Sequence, residues 1–126
     1  EKTGLRKLLG GTGPDGLRAG EDIDFAWSAC DFGYGMLVTP NLVLTHHISK
    51  SRLEKSYLLR TTEGARASEV VLREIHGLQQ HNSRPLSLLN AKAHIAVKER
   101  GFTREIAFAM ERGKARGLRL VRAHAE

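Results

Sequence analysis

Cysteine, proline and aromatic residues are scarce in this chain of 126 residues. There is one cysteine, three prolines, and an aromatic content of 6%. A single cysteine excludes an internal disulfide and a multi-cysteine zinc site. Cys30 lies in an apolar run with no neighbouring base, so it reads as a buried structural thiol in a reducing compartment. The few aromatics argue against a surface that stacks nucleic-acid bases, and no nucleic-acid motif appears. No apolar run approaches the roughly 18 residues of a membrane span. No signal-peptide pattern, repeat or low-complexity tract is visible. The chain starts with Glu1 rather than Met, and reads as a processed chain or a piece cut from something longer. Its 40% apolar and 27% charged content is that of a soluble globular domain.

Charge is unevenly spread. Residues 1–40 hold 4 basic and 6 acidic side chains, whereas residues 41–126 hold 16 and 8. An acidic head thus precedes a basic tail, which suits either a solvated helical surface or contact with phosphate groups.

Residues 8–20, LLGGTGPDGLRAG, carry loop chemistry. The GGTG within them lacks the ending of a phosphate loop. DIDFAWSACDF (22–32) predicts a short helix, apolar over most of its circumference and therefore buried. Its polar stripe is narrow: Asp24, Ser28 and Asp31. Gly33 is placed to stop it in a left-handed turn. Two short strands are expected at about 36–39 and 42–46, on either side of Pro40. The remainder predicts helix. Ser49 or Ser51 is a cap for the first segment, and Gly64 an interruption of it. GLQQHNSRP is a polar connection, and Leu86, Leu89, Ala93, Ala96 and Val97 form a stripe that ends at Gly101. Phe102, Ile106, Ala109 and Met110 form the last stripe.

Two groups of residues carry chemistry. Glu21, Asp22 and Asp24 cluster where a glycine-rich loop enters a helix. A carboxylate there caps free backbone N–H groups, or serves as a general base held in a fixed position. His46 and His47 end the second extended run, and imidazoles ligate divalent cations. Successive side chains of extended chain point to opposite faces, so the two do not face one pocket.

The order of these parts resembles family 2 glycosyltransferases of the GT-A fold. The matching features are Gly-Glu-Asp-x-Asp-Phe, a helix, Gly-Tyr-Gly, strand–Pro–strand, His-His and then SRL, over about residues 18–60. The resemblance implies an α/β fold, with this chain as the mainly helical C-terminal part. Residues 1–60 would be the acceptor-side, base-bearing segment and 61–126 a basic helical region. The implied reaction is inverting transfer of a sugar from a nucleotide-sugar to an acceptor hydroxyl. Asp22 matches the catalytic base and Glu21 its partner. Asp24 and Trp27 fall on the acceptor side. Lys50 and Arg52 would meet the donor diphosphate, and His46 and His47 the metal–diphosphate. The implied cofactor is Mn2+ or Mg2+. The implied acceptor is a saccharide or lipid-linked glycan of the cell envelope, and the implied location is the cytoplasm, at the inner face of the membrane. The basic tail, 86–122, would provide peripheral membrane contact, and no nucleic acid is expected.

Two departures stand out. The family pattern places Arg where this chain has Ser28. Its nucleotide-binding half, which ends in an Asp-x-Asp motif, has no counterpart in residues 1–17. Alone, the chain is expected to be inactive and to expose apolar surface, with Phe25 and Trp27 as candidates. The alternative is a non-catalytic basic helical module that binds nucleic acid or anionic lipid, with binding that collapses in salt. A small metal-binding protein built on the histidines and acids is a third reading.

Overall fold

The computed structural model describes residues 2–10, 19–78 and 85–124, without the side chains of residues 2, 3 and 85–91. It contains five helices: α1 (Lys2–Arg6), α2 (Glu21–Asp31), α3 (Lys55–Ile75), α4 (Pro85–Lys98) and α5 (Gly101–Ala123). A 3-10 turn, Lys50–Leu53, precedes α3. The glycine-rich stretch 11–18, the connection 79–84 and the side chains of Leu86 and Leu89 lie outside the described residues.

The two long helices form the body of the molecule. α3 and α5 pack along their lengths, and the apolar side of α3 supplies most of the core. Ala67, Val70, Val71, Leu72 and Ile75 are buried there, with Leu5 and Leu9 from the N-terminal segment. Leu8, Trp27, Leu120 and Val121 close over this cluster. The buried face of α5 is made of small residues: Ala109, Gly113 and Gly117. Their spacing of four places them in one row on the helix surface. With almost no side chain between them, the backbones come close. A Cβ on Gly117 would stand 2.7 Å from both the Ala67 carbonyl oxygen and the Val70 Cβ. Ion pairs line the edges of this seam, Lys55 to Glu105 at 2.6 Å and Arg112 to Glu63 at 2.8 Å.

Helix ends follow local chemistry closely. α2 ends at Gly33, φ 90°, and α3 at Gly77, φ 66°. At α2 the Gly33 and Tyr34 amides donate to Cys30 and Ala29. At α3 the Gly77 and Leu78 amides donate to Glu74 and Arg73. Both are Schellman ends, in which glycine supplies the left-handed residue.

Several expectations need correction. The fold is not α/β. Among the described residues strand content is essentially nil, and the runs 36–39 and 42–46 are extended but form no sheet. A strand is held by the hydrogen bonds of a neighbour, and among the described residues no neighbouring strand lies beside these runs. Ser49 and Ser51 do not cap a long helix; they belong to the region of the 3-10 turn, and α3 starts at Lys55 after Glu54. Gly64 does not interrupt α3. Gly101 does separate α4 from α5. α2 is present but is not a buried helix: it has no buried residue, and Phe25 and Phe32 are largely exposed. Its polar stripe faces the body of the molecule instead. Cys30 is half-buried.

The run from Tyr34 to Ile48 leaves Met36, Leu37, Val38, Leu42, Val43 and Leu44 exposed. This is apolar surface of the kind that marks an interaction site. The isolated chain is therefore expected to self-associate. Sedimentation velocity should show oligomers, and the paired substitution Leu37→Asp/Val43→Asp should return the chain toward a monomer without loss of helical circular dichroism.

Glu69 on α3 accepts hydrogen bonds from Arg66 and, at 3.3 Å, from Arg73. Partial burial pushes its carboxyl up, but the two guanidinium groups outweigh that and hold it below the usual carboxylate value. A depressed carboxylate stabilises the fold above its unfolded value and loses that contribution as pH falls through the folded one. Glu69→Gln should accordingly flatten the acid limb of a plot of melting temperature against pH, leaving the neutral limb slightly lower.

No helix among the described residues is long and apolar enough to cross a membrane. The buried face of α5, within the tail expected to contact a membrane, is covered by α3.

Candidate functional site

α2 begins at Gly20, whose φ of 107° is left-handed. A Cβ there would also press on the Leu72 and Leu9 side chains at 3.2 and 3.3 Å. Glycine is thus required both by conformation and by space, and it fixes where the helix starts. The first α2 bond runs from the Asp24 amide to the Gly20 carbonyl, 2.8 Å. Asp22 is therefore not the N-cap residue. It stands in the first turn, where its Oδ1 accepts from the Ile23 amide at 2.9 Å, and its side chain is exposed. Glu21 is exposed too, with its carboxyl lying over Gly10. Both acids benefit from the positive end of the helix dipole.

Asp24 has a different role. Arg6 donates from Nε to its Oδ2 at 3.1 Å, and the His76 Nε2 faces its Oδ1 at 2.9 Å. The carboxylate, with only 16% of the side chain exposed, is enclosed by α1 on one side and the end of α3 on the other. Arg6 also donates to the Ser28 hydroxyl at 3.3 Å. A guanidinium therefore reaches the position where the sequence has serine, but it comes from α1 rather than from α2. His76 Nδ1 faces Asp31 Oδ2 at 2.9 Å, and Trp27 meets the His76 ring edge-on, centroids 5.3 Å apart. Asp24, Trp27, Ser28 and Asp31 thus form the face by which α2 is attached. This is why its polar stripe points inward while Phe25 and Phe32 point out.

The other expected site residues stand apart from this network. His46 and His47 are exposed in the extended run. Lys50 and Arg52 are exposed in the 3-10 turn and have no ion-pair partner among the described residues. No group of three or more His, Cys, Asp or Glu arranged to hold a metal ion occurs among the described residues. The described residues do not by themselves fit the divalent cation that the resemblance implies. A cleft of about 380 Å³ lies between α3, α4 and α5, lined by Leu59, Lys92, Glu105, Phe108 and Arg112. It contains none of the expected site residues.

Sequence reasoning missed Arg6 and His76. The one available signal for His76 was its place just before Gly77, at the end of a helical pattern. Arg6 had none, since its partners lie 18 and 22 residues away. Compared with known proteins, the chain matches no family description, no curated protein and no solved structure.

Proposed function

We propose that this chain is the acceptor-side segment of an inverting glycosyltransferase and that Asp22 is its general base. The observation that carries the reading is the division of labour among three neighbouring acids. Asp24 is enclosed by Arg6 and His76, whereas Asp22 is left exposed on a helix start fixed by Gly20. A base needs that combination of fixed position and open approach.

In the proposed reaction the acceptor hydroxyl gives its proton to an Asp22 carboxylate oxygen. The acceptor oxygen bonds to the anomeric carbon of the donor sugar, and the bond from that carbon to the diphosphate breaks. The nucleoside diphosphate leaves with the electron pair. Lys50 and Arg52, exposed and without partners among the described residues, are the cations of this chain suited to the departing charge. The donor-binding unit lies outside these residues, and the exposed apolar run 34–48 is the surface offered to it. No step is assigned to a metal.

The test is nucleotide release from a panel of nucleotide-sugars, with Mn2+ or Mg2+ in the buffer, by the full-length protein that carries this chain. Saccharide and lipid-linked acceptors at the cytoplasmic face of the envelope are the class to supply. Release that depends on acceptor supports the reading. No release from any donor, with acceptors present, transfers the weight to a non-catalytic helical binding module.

A further inference from the structure

His76 is the most enclosed ionisable side chain around α2, with 5% of its side chain exposed. It sits at the end of α3, where the Gly77 turn fixes its backbone. Its two ring nitrogens face two carboxylates of one helix, seven residues apart, both at 2.9 Å. A neutral imidazole has one N–H and one lone pair. Only the imidazolium donates to both acids at once. In the neutral ring a lone pair confronts a carboxylate, and one of the two bonds becomes a repulsion. From α1, Arg6 also reaches Asp24, its Nε 3.1 Å from Oδ2 and 3.4 Å from Oδ1, a contact that does not depend on the state of the ring.

We propose that His76 is a proton-operated latch that fastens α2, and with it Glu21 and Asp22, to the end of α3. Protonated, it spans two turns of α2 from Asp24 to Asp31. Deprotonated, it releases the Asp31 end, since Asp24 keeps Arg6 while Asp31, at 68% side-chain exposure, is free to turn to water. The consequence for catalysis, a base whose placement depends on pH, rests on the proposed transfer reaction; the latch itself does not.

Trp27 is the single tryptophan, and its ring touches His76. A protonated imidazole quenches a touching indole, so its emission reports the latch directly. With excitation selective for tryptophan, the chain is titrated from about pH 5.5 to about pH 8.5, the range in which histidine changes charge. Emission should rise and shift to the red as the proton leaves. His76→Gln should abolish this transition while the other histidines remain. Asp31→Asn, at an exposed position that threatens folding little, should shrink the change in emission across the same range, because the end that the latch releases is then no longer a carboxylate. A flat titration of the unmodified chain overturns the proposal. So does a transition that survives unchanged in His76→Gln, or one whose size Asp31→Asn leaves unchanged. If His76→Gln fails to fold, Asp31→Asn decides. A latch that titrates as stated while the full-length protein turns over no donor leaves the latch standing and the transferase reading refuted.

Discussion

Gly113→Ala and Gly117→Ala should each lower the melting temperature sharply, while Gly64→Ala should raise it. All three substitutions add the same methyl group to the interior of a long helix. Each removes a glycine whose backbone freedom disfavours helix by about 1 kcal/mol relative to alanine. On local grounds all three should stabilise. The difference lies across the seam. Nothing stands within 4 Å of a Cβ on Gly64. A Cβ on Gly113 would meet the Glu63 carbonyl oxygen of α3 inside contact distance, and the Arg66 Cβ at 2.9 Å. One on Gly117 would meet Ala67 and Val70 at 2.7 Å. At each site a backbone carbonyl stands on one side and a Cβ, fixed to its own backbone, on the other, so neither can swing aside and the helices must separate. Overpacking of this kind costs on the order of 1–3 kcal/mol, sometimes more. At roughly 4 °C per kcal/mol for a chain of this size, the loss is easily read in a thermal melt. The two sites share α3, and once one methyl has pushed the helices apart the second should cost less. If all three variants shift the melt in the same direction, the close approach of α3 and α5 is wrong.

The same seam shows why part of the fold was legible and part was not. α3, α5 and the stop at Gly33 follow from apolar spacing and glycine chemistry, which are local. The reading of α5 nevertheless chose Phe102, Ile106, Ala109 and Met110 as the packed stripe. Phe102 and Met110 prove to be partly exposed, and the tightest contacts fall on Gly113 and Gly117. Hydrophobicity counts a glycine as nothing, yet a row of small residues at four-residue spacing is a packing signal in its own right. α2 fails in the opposite sense. Its apolar majority predicted burial, but three polar residues and Trp27 were the attaching face, because Arg6 and His76 lie far away in sequence and make a polar stripe worth enclosing. The two strands expected at about 36–39 and 42–46 do not form: these residues are extended and largely exposed but unpaired among the described residues. Pairing into strands depends on a neighbour, and a neighbour is not a property of the run. Among the site residues, the sequence marked the acids as a group; only their partners separate Asp24 from Asp22.

That separation yields the second large effect. Asp22→Asn in the full-length protein should reduce nucleotide release in the presence of acceptor by about 10²–10⁴, the usual contribution of a general base. Thermal stability should barely change, since the amide oxygen of asparagine still accepts from the Ile23 amide and the residue is exposed. Asp24→Asn should do the reverse to the fold. It neutralises the group between Arg6 and His76 and leaves the Arg6 guanidinium and the His76 ring facing an amide in a half-buried place, which costs on the order of 1–3 kcal/mol. Activity would also fall for Asp24→Asn, because α2 would be held less firmly. The two variants are told apart by their melts rather than by rate alone. A loss of rate in Asp22→Asn with an unchanged melt assigns the chemistry to Asp22. An equal loss of stability in both would make the whole acidic cluster a device for starting and attaching a helix. Undiminished release in Asp22→Asn would remove the base from this chain altogether.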